Sequence, residues 1–136
     1  MNFIFTDIDG VLFPHYSKCW SKKAINIYNI ICVEFNLIPV ITSTWRIHNS
    51  VEELQEIFNE EGILTPIYGI TSNKNNRGLE IKEWLDNNEY DSYVVIDDIV
   101  WNIEPYVDNV FKCQSHIGLN EEIYNKIKDI YSKQKG

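Results

Sequence analysis

An apolar segment near the amino terminus ends in two carboxylates and a glycine. Residues 3–5 show no helical periodicity and precede Asp7, Asp9 and Gly10, a pattern typical of a buried strand that ends in a turn. The two aspartates leave an extended backbone on the same face, so their like charges need a cation or a proton. Mg²⁺ takes one or two carboxylates together with waters and substrate phosphate, which meets this need. The alternative interpretation is an ordinary solvated turn, where Asp and Gly are frequent.

The rest of the chain alternates between strand-like and helix-like apolar patterns. Further strands are predicted at 37–41, 67–70, 93–96 and 109–113. Helices are predicted at 21–35, from 50 to Gly62, from Gly78 or Leu79 to the pair Asn87 and Asn88, and from Asn120 onward. This alternation predicts an α/β, Rossmann-like three-layer fold with a central, mostly parallel sheet of about five strands and helices on both faces. A length of 136 residues suits one domain over residues 1–136.

The composition argues against several classes of protein. A net charge of −8 disfavours an electrostatic grip on a long nucleic-acid backbone. No segment approaches the roughly 18 consecutive apolar residues of a membrane span, and the first strand leaves no place for a signal peptide. The three cysteines are odd in number and widely spaced, which fits neither a disulfide framework nor a zinc site. We therefore expect a cytoplasmic protein without a membrane partner.

Two more predicted strands end in polar side chains. Thr42 and Ser43 follow the second strand, and Asp97 and Asp98 follow the fourth. Ligands of open parallel sheets bind beyond the carboxyl ends of the strands, near the switch in strand order. A right-handed fold therefore brings these side chains into one pocket with the first two aspartates.

The order of these features resembles the haloacid dehalogenase (HAD) superfamily of phosphohydrolases. Asp-x-Asp-Gly-Val-Leu at 7–12 is similar to the first motif of that superfamily. The resemblance implies that Asp7 is the nucleophile, that an aspartyl-phosphate forms, and that Mg²⁺ is the cofactor. It also implies that Asp9 protonates the leaving oxygen and later deprotonates the water. Dehalogenase members lack this second role, so the presence of Asp9 favours a phosphatase.

The second and third motifs of the superfamily bind the phosphoryl group. The resemblance implies that the hydroxyl of Thr42, or alternatively that of Ser43, donates to a phosphate oxygen. The other interpretation is that the hydroxyl caps the next helix. Arg77, or alternatively Lys74, corresponds to the basic residue at the start of a helix that neutralises the phosphoryl group. A lone basic residue in a polar loop is otherwise usually solvated.

The fourth motif completes the metal site. The pair Asp97 and Asp98 after an apolar strand resembles this acidic motif. The resemblance implies that Asp98 is a direct ligand and Asp97 a supporting one, beside Asp7 and Asp9. Shorter segments, Thr-Trp-Arg at 44–46 and Ile-Gly-Leu at 117–119 among them, resemble a branch of small stand-alone members. Related domains of that branch occur in RNA-repair proteins, which is an association only.

The windows in which most members of the superfamily carry a cap domain are short here. Residues 11–20 and 62–77 leave no room for a folded cap, so we expect an open pocket. Capless members act on large substrates or close the site by oligomerising. Each of the nearest candidates for substrate contacts is equally compatible with a structural role, and a structural role is favoured for the two tryptophans; the candidates are Tyr16, Trp20, Trp45, Arg46 and His48.

These inferences favour a Mg²⁺-dependent phosphatase, a phosphomonoester hydrolase whose phosphorylated substrate is unidentified. One alternative is a nucleic-acid end phosphatase in repair, for which a local basic rim would offset the acidic net charge. The basic residues for such a rim are Lys18, Lys22, Lys23, Arg46, Lys74 and Arg77. The other alternative is a catalytically silent phosphate- or protein-binding module that keeps its carboxylates for metal.

Overall fold

Five parallel strands form the central sheet in the computed structural model, which describes residues 1–134. The strands are β1 (Asn2–Thr6), β2 (Leu37–Ile41), β3 (Gly69–Ile70), β4 (Ser92–Asp97) and β5 (Val110–Lys112). Their spatial order is β3-β2-β1-β4-β5, and every neighbouring pair is parallel. From β1 the chain therefore adds β2 and β3 on one side, then crosses back and adds β4 and β5 on the other side.

Helices connect the strands and cover the sheet. They are α1 (Lys22–Glu34), α2 (Trp45–His48), α3 (Val51–Glu60), α4 (Arg77–Asn87) and α5 (Glu121–Gln134). Ser50 and Glu53 form the expected reciprocal capping box at the start of α3. None of the helices in residues 1–134 has the length and apolar character that crossing a bilayer demands.

Alternate residues of β1 supply two separate hydrophobic cores, one on each face of the sheet. Ile4 belongs to the core that contains the buried residues of α1, α3 and α5. Phe3 and Phe5 belong to the other core, which contains Ile81 and Leu85 of α4. Apolar side chains on both faces are typical of a central parallel strand. The predicted three-layer α/β fold is confirmed, and residues 1–134 contain no cap domain.

The structure differs from the prediction most clearly at three elements, and β5 is also shorter than predicted, Val110–Lys112 rather than 109–113. The four-residue helix α2 was not expected, because one turn is too short to show an apolar periodicity. Strand β3 has two residues rather than four. Helix α4 begins at Arg77, before the predicted Gly78 or Leu79, because the side chain of Asn76 accepts a hydrogen bond from the Leu79 amide at 3.0 Å and caps it.

The register of the sheet aligns the ends of its three central strands. Thr6 of β1 pairs with Ile41 of β2 on one side and with Ile96 of β4 on the other. The residues that follow, Asp7 and Thr42, therefore leave adjacent strands at the same level, with Asp97 beside them. This edge lies where the strand order switches direction, which is the expected position of a ligand site.

Candidate active site

Three buried carboxylates converge where β1 and β4 end. One oxygen from each of Asp7, Asp97 and Asp98 lies within 4.8 Å of the others. Their residues are 7%, 2% and 6% exposed. The predicted metal set also included the carboxylate of Asp9, but the structure places that side chain outside this cluster, with Oδ2 3.1 Å from Nε1 of Trp45.

Residues of the loops after β1 and after β5 surround the Asp98 carboxylate. Gly10 has φ of +79°, and a Cβ at this position would overlap the Asp98 carboxylate, so only glycine allows the close approach. Ser115 Oγ donates to Asp98 Oδ2 at 2.9 Å, and His15 Nε2 lies 3.5 Å from the same oxygen. The sequence analysis did not identify Ser115 or His15 as partners of Asp98, because nothing in their local pattern links them to it.

Arg77 supplies the positive charge that faces this cluster. Its Nη1 lies 2.6 Å from Asp97 Oδ2 and 3.6 Å from Asp7 Oδ1. The first turn of α4 can approach so closely because Gly78 follows, where a Cβ would overlap the backbone oxygen of Asn102. Lys74, the other candidate, instead pairs with Glu83 at 2.7 Å, and its side chain is 50% exposed.

Arg77 alone does not balance the negative charge of the three carboxylates. Burial, and then the neighbouring Asp97, hold the pKa of Asp7 well above its usual value, although Arg77 opposes this. Burial likewise raises the pKa of Asp97, again against Arg77. One guanidinium thus leaves the three carboxylates undercompensated. Because all the donors are hard oxygens, the set suits Mg²⁺, with Asp7, Asp97 and Asp98 as candidate ligands.

The raised pKa values predict how stability depends on pH. A carboxyl whose pKa is raised on folding stabilises the protein below its unfolded pKa, and this contribution is lost as pH rises through the folded pKa. We therefore expect a larger increase in Tm on adding Mg²⁺ at about pH 7.5 than at about pH 5, where protons compete with the metal. Thermal scans with excess Mg²⁺ and with a chelator measure this difference. An equal increase at the two pH values would contradict it.

The hydroxyls after β2 are both fully buried. Ser43 Oγ accepts from the amide of Trp45, the first residue of α2, at 3.2 Å, whereas the N-cap of that helix is Thr44, whose side chain makes no cap hydrogen bond. Thr42 Oγ1 has no hydrogen-bond partner among residues 1–134. An unpaired buried hydroxyl is costly, and this one follows the strand beside Asp7. Thr42 therefore has the hydroxyl without a protein partner, but neither Thr42 nor Ser43 lines the cavity described below.

Arg46 links several parts of the chain and also lines the cavity described below. Its guanidinium pairs with Glu80 of α4 at 2.8 Å, and both side chains are almost fully buried. It also donates to the carbonyl oxygens of Thr42, Ser43, Thr71 and Ser72. It was predicted to contact substrate, but protein acceptors already engage its nitrogens. Arg46 therefore ties the loops after β2 and β3 to the helix that carries Arg77.

A cavity of about 280 Å³ opens above the carboxylates. Asp7, Asp97, Asp98 and Arg77 line it, and no lysine does so within residues 1–134. The remaining wall includes four side-chain amides that the sequence analysis did not single out, those of Asn73, Asn75, Asn76 and Asn102. Polar loops rich in Asn are common, so the sequence offered no signal for them.

A second cavity of about 420 Å³ lies on the side of Asp9. Its wall consists of Asp9, Thr44, Trp45, His48 and Asn49, and Thr44 lines the first cavity too. The other aromatic candidates for substrate contacts lie elsewhere. Tyr16 is fully exposed, whereas Trp20 is 9% exposed and belongs to the core.

Comparison with known protein families gives a match over most of the chain. A family model described as "HAD domain in Swiss Army Knife RNA repair proteins" matches residues 3–123. No curated protein and no solved structure matches the chain. The matched region includes both aspartates that follow β1, both that end β4, and Arg77. The chain therefore belongs to the family of HAD domains found in Swiss Army Knife RNA repair proteins.

Proposed function

We propose that this domain is a Mg²⁺-dependent phosphomonoesterase that acts through an aspartyl-phosphate. The observation that carries the proposal is the separation of the acidic groups into a buried cluster and one carboxylate outside it, that of Asp9. Asp7, Asp97 and Asp98 face Arg77, while Asp9 faces its own cavity. A bound Mg²⁺ would offset the charge of the carboxylates and of the phosphoryl group.

In the proposed reaction, residues of both cavities take part. A carboxylate oxygen of Asp7 attacks phosphorus, and the bond from phosphorus to the leaving oxygen breaks. Asp9 gives its proton to that oxygen, so the product leaves as an alcohol. In the second step Asp9 takes a proton from water, whose oxygen displaces Asp7 and releases inorganic phosphate. Arg77 and the hydroxyl of Thr42 neutralise and orient the phosphoryl oxygens.

A second candidate is a nucleic-acid end phosphatase. The matching family is described from RNA repair proteins, which favours this candidate. The charges beside the site favour it less, since arginines 46 and 77 are the basic residues that line the first cavity within residues 1–134, and the second has no lysine or arginine there and only His48 as a basic residue. Phosphate contacts from basic side chains supply most of the affinity for nucleic acids. We therefore rank the general phosphomonoesterase first.

A substrate panel tests both candidates. We expect phosphate release from small phosphomonoesters with Mg²⁺ and none with a chelator. Oligonucleotides with a 3'- or 5'-phosphate should be no better substrates than mononucleotides at low or moderate salt. A strong preference for the oligonucleotide that salt abolishes would establish the second candidate instead. Binding of Mg²⁺ in calorimetry without turnover of any ester would contradict both and indicate a binding module.

A further inference from the structure

We propose that Trp45 is a positioning residue that fixes the carboxyl of Asp9 for proton transfer, an inference that rests on the proposed function. The indole Nε1 of Trp45 donates to Asp9 Oδ2 at 3.1 Å. The two residues are 36 positions apart and come from different loops, the turn after β1 and helix α2. Asp9 Oδ1 accepts no hydrogen bond from residues 1–134, and the carboxyl borders the second cavity.

The indole is itself held from several sides. Its ring packs edge-on against Trp20 with centroids 5.4 Å apart, and against Phe13 at 6.3 Å. The Trp45 amide donates to Ser43 Oγ at 3.2 Å, and the Asn49 side chain donates to the Trp45 carbonyl at 3.0 Å. Because ring and backbone are both constrained, the N–H direction is set before substrate binds. Such preorganisation lowers the cost of aligning a catalytic group.

The indole N–H engages one oxygen of the Asp9 carboxyl and leaves the other to a substrate. An indole N–H donates and cannot accept, so Asp9 Oδ2, the oxygen that it contacts, acts as the acceptor. Asp9 Oδ1 is therefore the oxygen available to exchange a proton with a leaving group in the second cavity. Without the indole, no side-chain hydrogen bond from residues 1–134 holds the carboxyl in this orientation.

Trp45→Phe tests this role, because phenylalanine keeps most of the ring packing and removes only the donor. Proton delivery matters most for poor leaving groups, so we compare an alkyl phosphate with p-nitrophenyl phosphate. We expect kcat/KM to fall about tenfold or more for the alkyl ester and less than about twofold for the aryl ester. Trp20→Phe is the matched control, since it alters the same aromatic contacts and leaves the donor. A packing defect alone would lower kcat/KM for both substrates by the same factor. That result for Trp45→Phe would overturn the proposal.

A measurement without turnover separates this inference from the proposed function. The four tryptophans give four indole N–H signals in an ¹⁵N correlation spectrum, of which Trp84 and Trp101 serve as references. We expect Asp9→Ala to move the Trp45 signal upfield and speed its exchange with water, while the references stay fixed. An unmoved Trp45 signal would overturn the inference even in an active enzyme. If the wild type hydrolyses no phosphoester, the proposed function fails, and the indole signal alone decides whether Trp45 holds Asp9.

Discussion

Replacing Asp7 with asparagine should abolish phosphoester hydrolysis and at the same time stabilise the metal-free protein. Asparagine has nearly the shape of aspartate and keeps an oxygen for the Ile8 amide, which donates to Asp7 Oδ1 at 2.9 Å. It cannot act as the nucleophile, so we expect kcat to fall at least about 10³-fold. The measurement is phosphate release from p-nitrophenyl phosphate with saturating Mg²⁺.

The gain in stability follows from the electrostatics of the cluster. Burial and the neighbouring Asp97 raise the pKa of Asp7, so its ionised form destabilises the metal-free fold at neutral pH. We therefore expect a higher Tm for Asp7→Asn than for the wild type when both are measured in chelator at neutral pH. Asp9→Asn is the matched control, because Asp9 lies outside the cluster and its substitution should cost activity without this gain. Retained turnover in Asp7→Asn, or a lower Tm in chelator, would contradict the assignment.

Replacing Arg77 with alanine should have the opposite effect on stability. The guanidinium is the basic group that contacts Asp97 and Asp7, at 2.6 and 3.6 Å, and its side chain is 17% exposed. Removing one partner from a buried ion pair leaves an uncompensated charge, which costs about 3–5 kcal/mol when the pair is fully buried. Since Arg77 keeps some contact with solvent, we expect a loss of about 2–3 kcal/mol by chemical denaturation in chelator. Turnover should fall as well, because the phosphoryl group loses its counter-charge.

Lys74→Ala is the matched control, since both residues were candidates for the same role. The Lys74 ammonium pairs with Glu83 on the surface, where solvent screens the charges, so its loss should leave stability nearly unchanged. Turnover should stay near the wild-type value. If Lys74→Ala removes activity while Arg77→Ala retains it, the basic residue of the phosphate site is Lys74.

The sequence predicted the parts of the site that depend on strand ends. Apolar runs of four or five residues identify buried strands, and parallel strands bring their carboxyl ends to one edge. The convergence of Asp7 with Asp97 and Asp98 followed from that rule. Their catalytic roles came from the resemblance to the superfamily and stay a prediction.

The parts that the sequence could not predict depend on loop conformation. The contact between Trp45 and Asp9 joins two turns, and no periodicity relates residues 36 positions apart. The hydrogen-bond partners of an arginine cannot be read from its sequence neighbours either, so Arg46 was expected to contact substrate, although Glu80 and four carbonyl oxygens engage its nitrogens. Burial of a charged side chain depends on its partners, and those are known only once the chain is folded.

The position of Thr44 between the two cavities bears on how such a domain can change its substrate during evolution. The groups proposed to handle phosphorus line one cavity, and the short helix α2 with Asn49 forms most of the other. Substitutions at His48, which is exposed and lines the second cavity but not the first, alter the surface proposed to meet the alcohol and leave the carboxylates of the cluster and Arg77 untouched. Ile47 lines the first cavity instead, and Trp45 of the same helical turn contacts Asp9, so His48 is the position of this helix at which selection for a new alcohol interferes least with the proposed chemistry.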